Sequence, residues 1–223
     1  MFNPTIGSYA STRNKVLTQT YLLLAISLIP TALGAWIGVA TGISSMFTGG
    51  LGLIVFLVGA FGFMFAIEKT KNSGAGVPIL LAFTFFMGLM LSRLIGQVLG
   101  LSNGVALIST AFLGTSAIFF GMATLATTIK KDLSSMGKFL FVGVILLLVA
   151  SLLNFFFQSP VLMIVLSVLA IGIFSAYMLY DVKRIIDGGE TNYISATLGL
   201  YLSIYNVFQS LLSLLGIFGG ERD

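Results

Sequence analysis

Apolar residues along this chain gather into seven long runs separated by short polar or glycine-containing stretches: Val16 to Ala40, Leu51 to Ile67, Val77 to Leu101, Val105 to Ile129, Phe139 to Phe157, Pro160 to Tyr180 and Tyr193 to Phe218. Each is close to the ~20 residues that an α-helix needs to cross the hydrocarbon of a bilayer. The fifth and sixth are divided only by Gln158, Ser159 and Pro160, but merged they would be too long for one crossing. The pattern predicts an all-α membrane protein of seven transmembrane helices, occupying residues 16–218 between tails at 1–15 and 219–223. The first run is longer than the ~7–15 apolar residues of a signal peptide, so it is read as a retained span. Pro30 inside it predicts a bend, because proline lacks the amide hydrogen and its ring strikes the preceding turn.

Composition agrees with lipid as the main solvent. Hydrophobic residues make up 57% of the 223 and charged residues 8%, with a mean hydropathy of +1.08, far from the balance of a soluble domain. The net charge of +4 does not point to nucleic acid, because the basic residues stand in ones and twos beside apolar runs. Their placement alternates instead. Arg13 and Lys15 precede the first span, Lys69 and Lys71 follow the second, Lys130, Lys131 and Lys138 follow the fourth, and Lys183 and Arg184 follow the sixth. The turns between, at Thr41 to Gly50, Ser102 to Gly104 and Gln158 to Ser159, carry no Lys or Arg. The positive-inside rule then puts the N-terminus in the cytoplasm and the C-terminus on the other side. Trp36 falls at the expected outer boundary, where aromatic belts sit.

Cysteine and histidine are both absent, which removes thiolate nucleophiles, imidazole bases and the ligands of ordinary zinc or haem sites. No catalytic constellation, metal site or cofactor is expected, and the chain does not read as an enzyme. The 26 glycines favour close helix packing in a solvent that gives helices no hydrophobic reason to associate; Gly59 with Gly62 and Gly114 with Gly121 are candidate contacts.

Ionisable and amide groups inside spans are the places to seek function. Arg93 lies near the outer interface, within reach of it by its long side chain. Asn154 and Gln158 share a face of the fifth span, where their amides can bond neighbouring helices. Asp181 ends the apolar run of the sixth, and the helix is expected to continue to Gly188-Gly189, which leaves the carboxylate about 8 Å from that end at 1.5 Å per residue. It is read either as an interfacial acid paired with Lys183 or Arg184, or as a buried, proton-sensitive latch. Along the last span Gly199, Ser203, Asn206, Ser210 and Ser213 recur at spacings of four, three, four and three, one small and polar stripe that should face protein or water rather than lipid. Ser203 can match Asp181 in depth across the connecting turn. Tyr201 and Tyr205 flank it.

The residues carrying this pattern are Tyr180-Asp181 with Ile185-Ile186, then Gly188-Gly189-Glu190-Thr191-Asn192-Tyr193, then Leu200-Tyr201-Leu202-Ser203-Ile204-Tyr205-Asn206-Val207-Phe208. They resemble the Bax inhibitor one superfamily, and within it the bacterial YccA branch. Ser210 to Gly216 is similar to that branch too, and Ala82-Phe83-Thr84 through Gly88 is a weaker echo. The resemblance implies a seven-helix fold with the last helix central, in the bacterial inner membrane. It also implies two functions. Some members act as pH-sensitive calcium leaks in which aspartates of the sixth and seventh helices share protons; Asp181 matches the first, but Ser203 stands at the second and cannot ionise. The YccA branch, which itself carries serine there, is associated with the membrane-anchored AAA protease FtsH as slow substrate and modulator, through a cytoplasmic tail that here would be Met1 to Lys15. Asp181, Ser203 and Asn206 are the implied proton- or ion-sensing residues, with calcium the candidate ion. The bilayer and an FtsH-type protease are the implied partners.

Overall fold

The computed structural model describes residues 4–43 and 49–220, with side chains from residue 14 onward. Its elements are seven helices: α1 Pro4–Thr41, α2 Gly49–Thr70, α3 Gly76–Leu99, α4 Gly104–Thr128, α5 Met136–Phe157, α6 Pro160–Ile186 and α7 Tyr193–Phe218. All seven are long and apolar enough to cross a membrane, and no strand occurs among the described residues. The expected spans and the helices coincide within a few residues, with two exceptions. α6 runs past Tyr180 to Ile186, as the position of the glycine pair suggests. α1 is helical from Pro4, well before Val16, so the described part of the stretch expected as the N-terminal tail is helical. The helix also runs on through Pro30. Residues 44–48 of the first turn, and 221–223 of the terminal tail, lie outside the described residues.

Large apolar side chains cover the outside of these helices. Phe139 is 79% exposed, Phe157 72% and Trp36 67%; in water such a surface would aggregate, whereas hydrocarbon is its natural surrounding.

The chain divides into two compact units, residues 1–97 with 190–201 and residues 98–189 with 202–223. In the first, α1 and α3 touch backbone to backbone. A Cβ on Gly34 would lie 2.2 Å from the Phe85 carbonyl oxygen, one on Gly88 would lie 2.1 Å from that of Thr31, and one on Gly38 would strike the Ser92 hydroxyl. Gly34 and Gly38 are one turn apart on α1, as are Thr84, Gly88 and Ser92 on α3, so small residues meet in register. α2 joins through aromatic contacts of Phe63 with Phe83 and Phe86, at ring separations of 6.0 and 5.6 Å, and through Gly59, which seats the Phe86 ring. Gly62 and Gly121 have nothing near them, and Gly114 only an ordinary contact with Leu211. Of the four expected glycines, Gly59 is a close contact and the other three are not; periodic spacing on one helix cannot reveal what the opposite helix presents.

In the second unit α6 packs on both α4 and α5, with Gly143 of α5 against Ile173 and Gly137 against the Tyr180 hydroxyl. Asn103, before α4, donates to the carbonyl of Gly219 beyond α7 at 2.6 Å. The α5–α6 turn is built as its residues predict: Gln158 takes a left-handed conformation, Ser159 caps α6 through the Leu162 amide, and Pro160 occupies the first turn. Asn154 Oδ1 accepts from the Ser159 amide at 3.0 Å. Its amide thus closes its own helix end, where sequence periodicity suggested a bond to a neighbour, and Gln158 is exposed.

Candidate functional site

Buried positions fall on every side of α7. Leu200, Tyr201, Val207 and Leu212 are as inaccessible as the polar stripe, in which Ser203 is 2% exposed and Ser210 and Ser213 are also buried. The serines of the stripe face protein, as its composition suggests, and bulky positions on other sides of the helix are buried with them, whereas Ile217 and Phe218 at its end are exposed. Bulky and small residues are both enclosed, so amphipathicity underestimates the burial.

Two polar nodes hold this helix in the first unit. The Tyr201 hydroxyl lies 2.9 Å from that of Thr31, and Thr31 in turn donates to the Ser27 carbonyl at 2.9 Å. A hydroxyl has one hydrogen, so the sequence of donors runs from Tyr201 to Thr31 to Ser27. Tyr201 also approaches the Thr84 carbonyl at 3.4 Å, and its ring meets Phe83 edge-on at 6.0 Å. Nearer the start of α7, Thr197 reaches the Thr20 carbonyl at 3.3 Å. Tyr201 was expected merely to flank Ser203; instead it joins α1, α3 and α7. The spacing of Thr84 to Gly88 within a resembling segment was the one available hint.

The Gly188 to Tyr193 motif is a structural connector. Gly188 has φ of +79°, a conformation only glycine adopts without strain, and with Gly189 it returns amides to the Ile185 and Arg184 carbonyls. Glu190 Oε1 accepts from the amides of Thr191 and Asn192. Asn192 Oδ1 accepts from Ile194 and Ser195 at 2.9 and 3.0 Å, capping α7. Its Nδ2 donates to the Lys71 carbonyl at 3.2 Å and to Asn72 Oδ1 at 2.9 Å, tying the α2–α3 turn to the cap.

Asp181, Ser203 and Asn206 belong to the second unit. Asp181 is half-buried on α6, one turn beyond Tyr177, whose ring packs against those of Phe174 and Tyr180. Ser203 is buried, and Asn206 Nδ2 donates to the Leu202 carbonyl of its own helix at 2.8 Å. Lys183, named in sequence as a partner for Asp181, pairs with Asp187 at 2.5 Å and is itself only 8% exposed. Arg184 Nε donates to the Gly189 carbonyl. Facing Lys183 from the α4–α5 turn is Asp132. Its carboxyl is held below the usual range by hydrogen bonds from the amide and hydroxyl of Ser134, with a lesser contribution from the Lys183 charge. Among the described residues no group of three or more His, Cys, Asp or Glu is assembled that could hold a metal ion.

With this geometry in view, residues 13–220 match the family described as inhibitor of apoptosis-promoting Bax1. The chain belongs to that family. Within it, the chain is 39% identical over 210 residues to the modulator of FtsH protease YccA of Escherichia coli, covering 94% of this chain and 92% of that one. It is 40% identical over 205 residues to an uncharacterized membrane protein of Vibrio cholerae, covering 92% and 90%. A Neisseria meningitidis relative, also uncharacterized, is 35% identical over 217 residues, covering 96% of both chains. The YccA resemblance read from the α6–α7 region thus extends over nearly the whole chain.

Proposed function

We propose that this protein is an inner-membrane regulator that binds a membrane-anchored protease of the FtsH type and modulates its action on membrane substrates. The observation that carries the reading is the 39% identity with a protein named as a modulator of FtsH protease, spread over 94% of this chain. The charge pattern orients the chain with its N-terminus in the cytoplasm, and the segment from Met1 to Lys15 is the proposed point of engagement.

Crosslinking in native membranes, followed by identification of the captured proteins, tests this. The expected result is capture of the protease and slower turnover of its membrane substrates when this protein is overproduced. Absence of the protease from the captured set, with unchanged turnover, overturns it.

A second reading, a pH-sensitive cation leak, is favoured by one observation: a carboxylate, Asp181, half-buried in a membrane helix. Ser203 and Asn206 supply only neutral oxygens to accompany it. Hard cations such as calcium gather more ligands and more charge than that, so the protease-linked reading is preferred.

A further inference from the structure

The basic residues of this chain are unequal in their commitments. Lys69 lies over the Phe65 ring, 5.4 Å from its centre. Lys71 pairs with Glu68, Lys183 with Asp187, and Arg184 bonds the Gly189 carbonyl. Lys130, Lys131 and Lys138 are all exposed, and among the described residues no ion pair or hydrogen bond engages them. Lys15 and Arg93, the other described cations in that position, stand singly on α1 and α3. Three uncommitted ammonium groups thus share one short stretch between α4 and the first turn of α5.

The surroundings sharpen their preference. The single acid of the stretch, Asp132, is bonded at 2.8 and 2.9 Å by the amide and hydroxyl of Ser134, and among the described residues no ion pair joins it to the three lysines. The Met136 amide bonds the Leu133 carbonyl at 2.9 Å, but Ser135, at the start of α5, makes no side-chain cap, so the positive end of a 22-residue helix faces the same turn. Gly137 leaves room for the Tyr180 hydroxyl beside that end. Directly beyond it α5 presents Phe139, Phe141 and Val142 outward, at 79, 61 and 56% exposure, a surface suited to acyl chains. Positive charge and amide donors adjoining a lipid-facing helix match an amphiphile with an anionic head, whereas a soluble anion would use only half of the surface.

We propose that the α4–α5 turn, through Lys130, Lys131, Lys138 and the amide end of α5, seats the phosphate of an anionic phospholipid. The proposal is independent of the protease reading. Native mass spectrometry of the detergent-solubilised full chain, titrated with phosphatidylglycerol and with phosphatidylcholine of the same acyl chains, tests it. Wild type should retain phosphatidylglycerol preferentially. That preference should fall roughly fivefold for each lysine neutralised in the series ending at K130Q/K131Q/K138Q, while K130R/K131R/K138R keeps it and K69Q/K71Q leaves it unchanged. Equal retention by wild type and the triple glutamine variant overturns the proposal, as does an equal loss in K69Q/K71Q, which would mean bulk charge alone. Displacement of the lipid by low-millimolar inorganic phosphate overturns the lipid source in favour of a soluble anion. A protein copurifying on these lysines, with retention indifferent to head-group charge, assigns the surface to a protein and also overturns it. Should the triple glutamine variant fail to fold, single K138Q and the arginine triple keep both outcomes open to measurement.

Discussion

Tyr201 on α7 and Thr31 on α1 share a hydrogen bond of 2.9 Å between their hydroxyls, with Tyr201 only 1% exposed. Because Thr31 passes its own hydrogen to Ser27, removing the tyrosine hydroxyl leaves Thr31 still bonded. Tyr201→Phe should therefore destabilise the protein modestly, by about 0.6 kcal/mol and at most about 1.7, the range of side-chain hydrogen bonds between membrane helices. Thr31→Val removes the acceptor and leaves the tyrosine hydroxyl with the distant Thr84 carbonyl. A double-mutant cycle in denaturant-titrated micelles should show the two effects to be non-additive; additivity would mean that the bond contributes nothing to stability.

The glycines of α1 and α3 make a sharper test. Gly88→Ala and Gly34→Ala place a methyl against backbone carbonyl oxygen, which no rotamer change relieves, so each should cost about 1–3 kcal/mol as an overpacked contact. Gly62→Ala and Gly121→Ala, with open space around them, should be neutral or slightly stabilising through helix propensity. Thermal unfolding of the four variants in one detergent measures the contrast.

Asn192 acts on two elements at once. Asn192→Ala removes the α7 cap, worth typically about 1 kcal/mol, and also releases Lys71 and Asn72 from the cap. Hydrogen exchange should rise both in the first turn of α7 and in the α2–α3 turn. Faster exchange in α7 alone would show that the two segments are not coupled through this side chain.

Acid should loosen the α4–α5 turn. Asp132 has a folded pKa below its unfolded value near 3.8, so the unfolded chain binds the proton more readily, and the stabilisation is present above the ordinary carboxylate range. It is lost as pH falls through the folded value, below about pH 4. Asp132→Asn should remove that acid-side slope by lowering stability at neutral pH towards the value the wild type reaches in acid. Stability measured across pH 2 to 6 for both proteins checks the sign.

If the cation-leak reading holds, calcium entry into liposomes carrying the purified protein should depend on pH and change in Asp181→Asn. Flux equal to that of empty vesicles removes that reading and leaves the protease-linked one standing.

The seven spans were legible because lipid imposes one crude demand, a run of apolar residues of sufficient length, and each helix here meets it. The burial of Ser203, Ser210 and Ser213 was legible from their recurrence on one face of α7; a hydroxyl alone does not decide it, since Ser109 and Thr110 of α4 are exposed and bond back to their own helix. The partner of Tyr201 was not. A hydroxyl in a sequence does not name its acceptor, and Thr31 lies 170 positions away. Asn154 misled in the opposite sense: an amide on a helical face suggests a neighbouring helix, yet the nearest unsatisfied donor was the Ser159 amide at its own helix end. Asp181 was recognised as an unusual charge, but Lys183, its nearest cation in sequence, belongs to Asp187, a choice set by helical spacing of four rather than by adjacency.

The contact of Gly34 and Gly88 with opposing carbonyl groups limits how this protein can move. Side chains between helices act as bearings, since a new rotamer lets one element slide over the other. Where main chain lies on main chain there is nothing to turn, and a small displacement either opens a void or forces a collision. Any rearrangement that accompanies binding of a partner must carry α1 and α3 as a single strut, and the hinges that allow it have to be sought among the remaining helices.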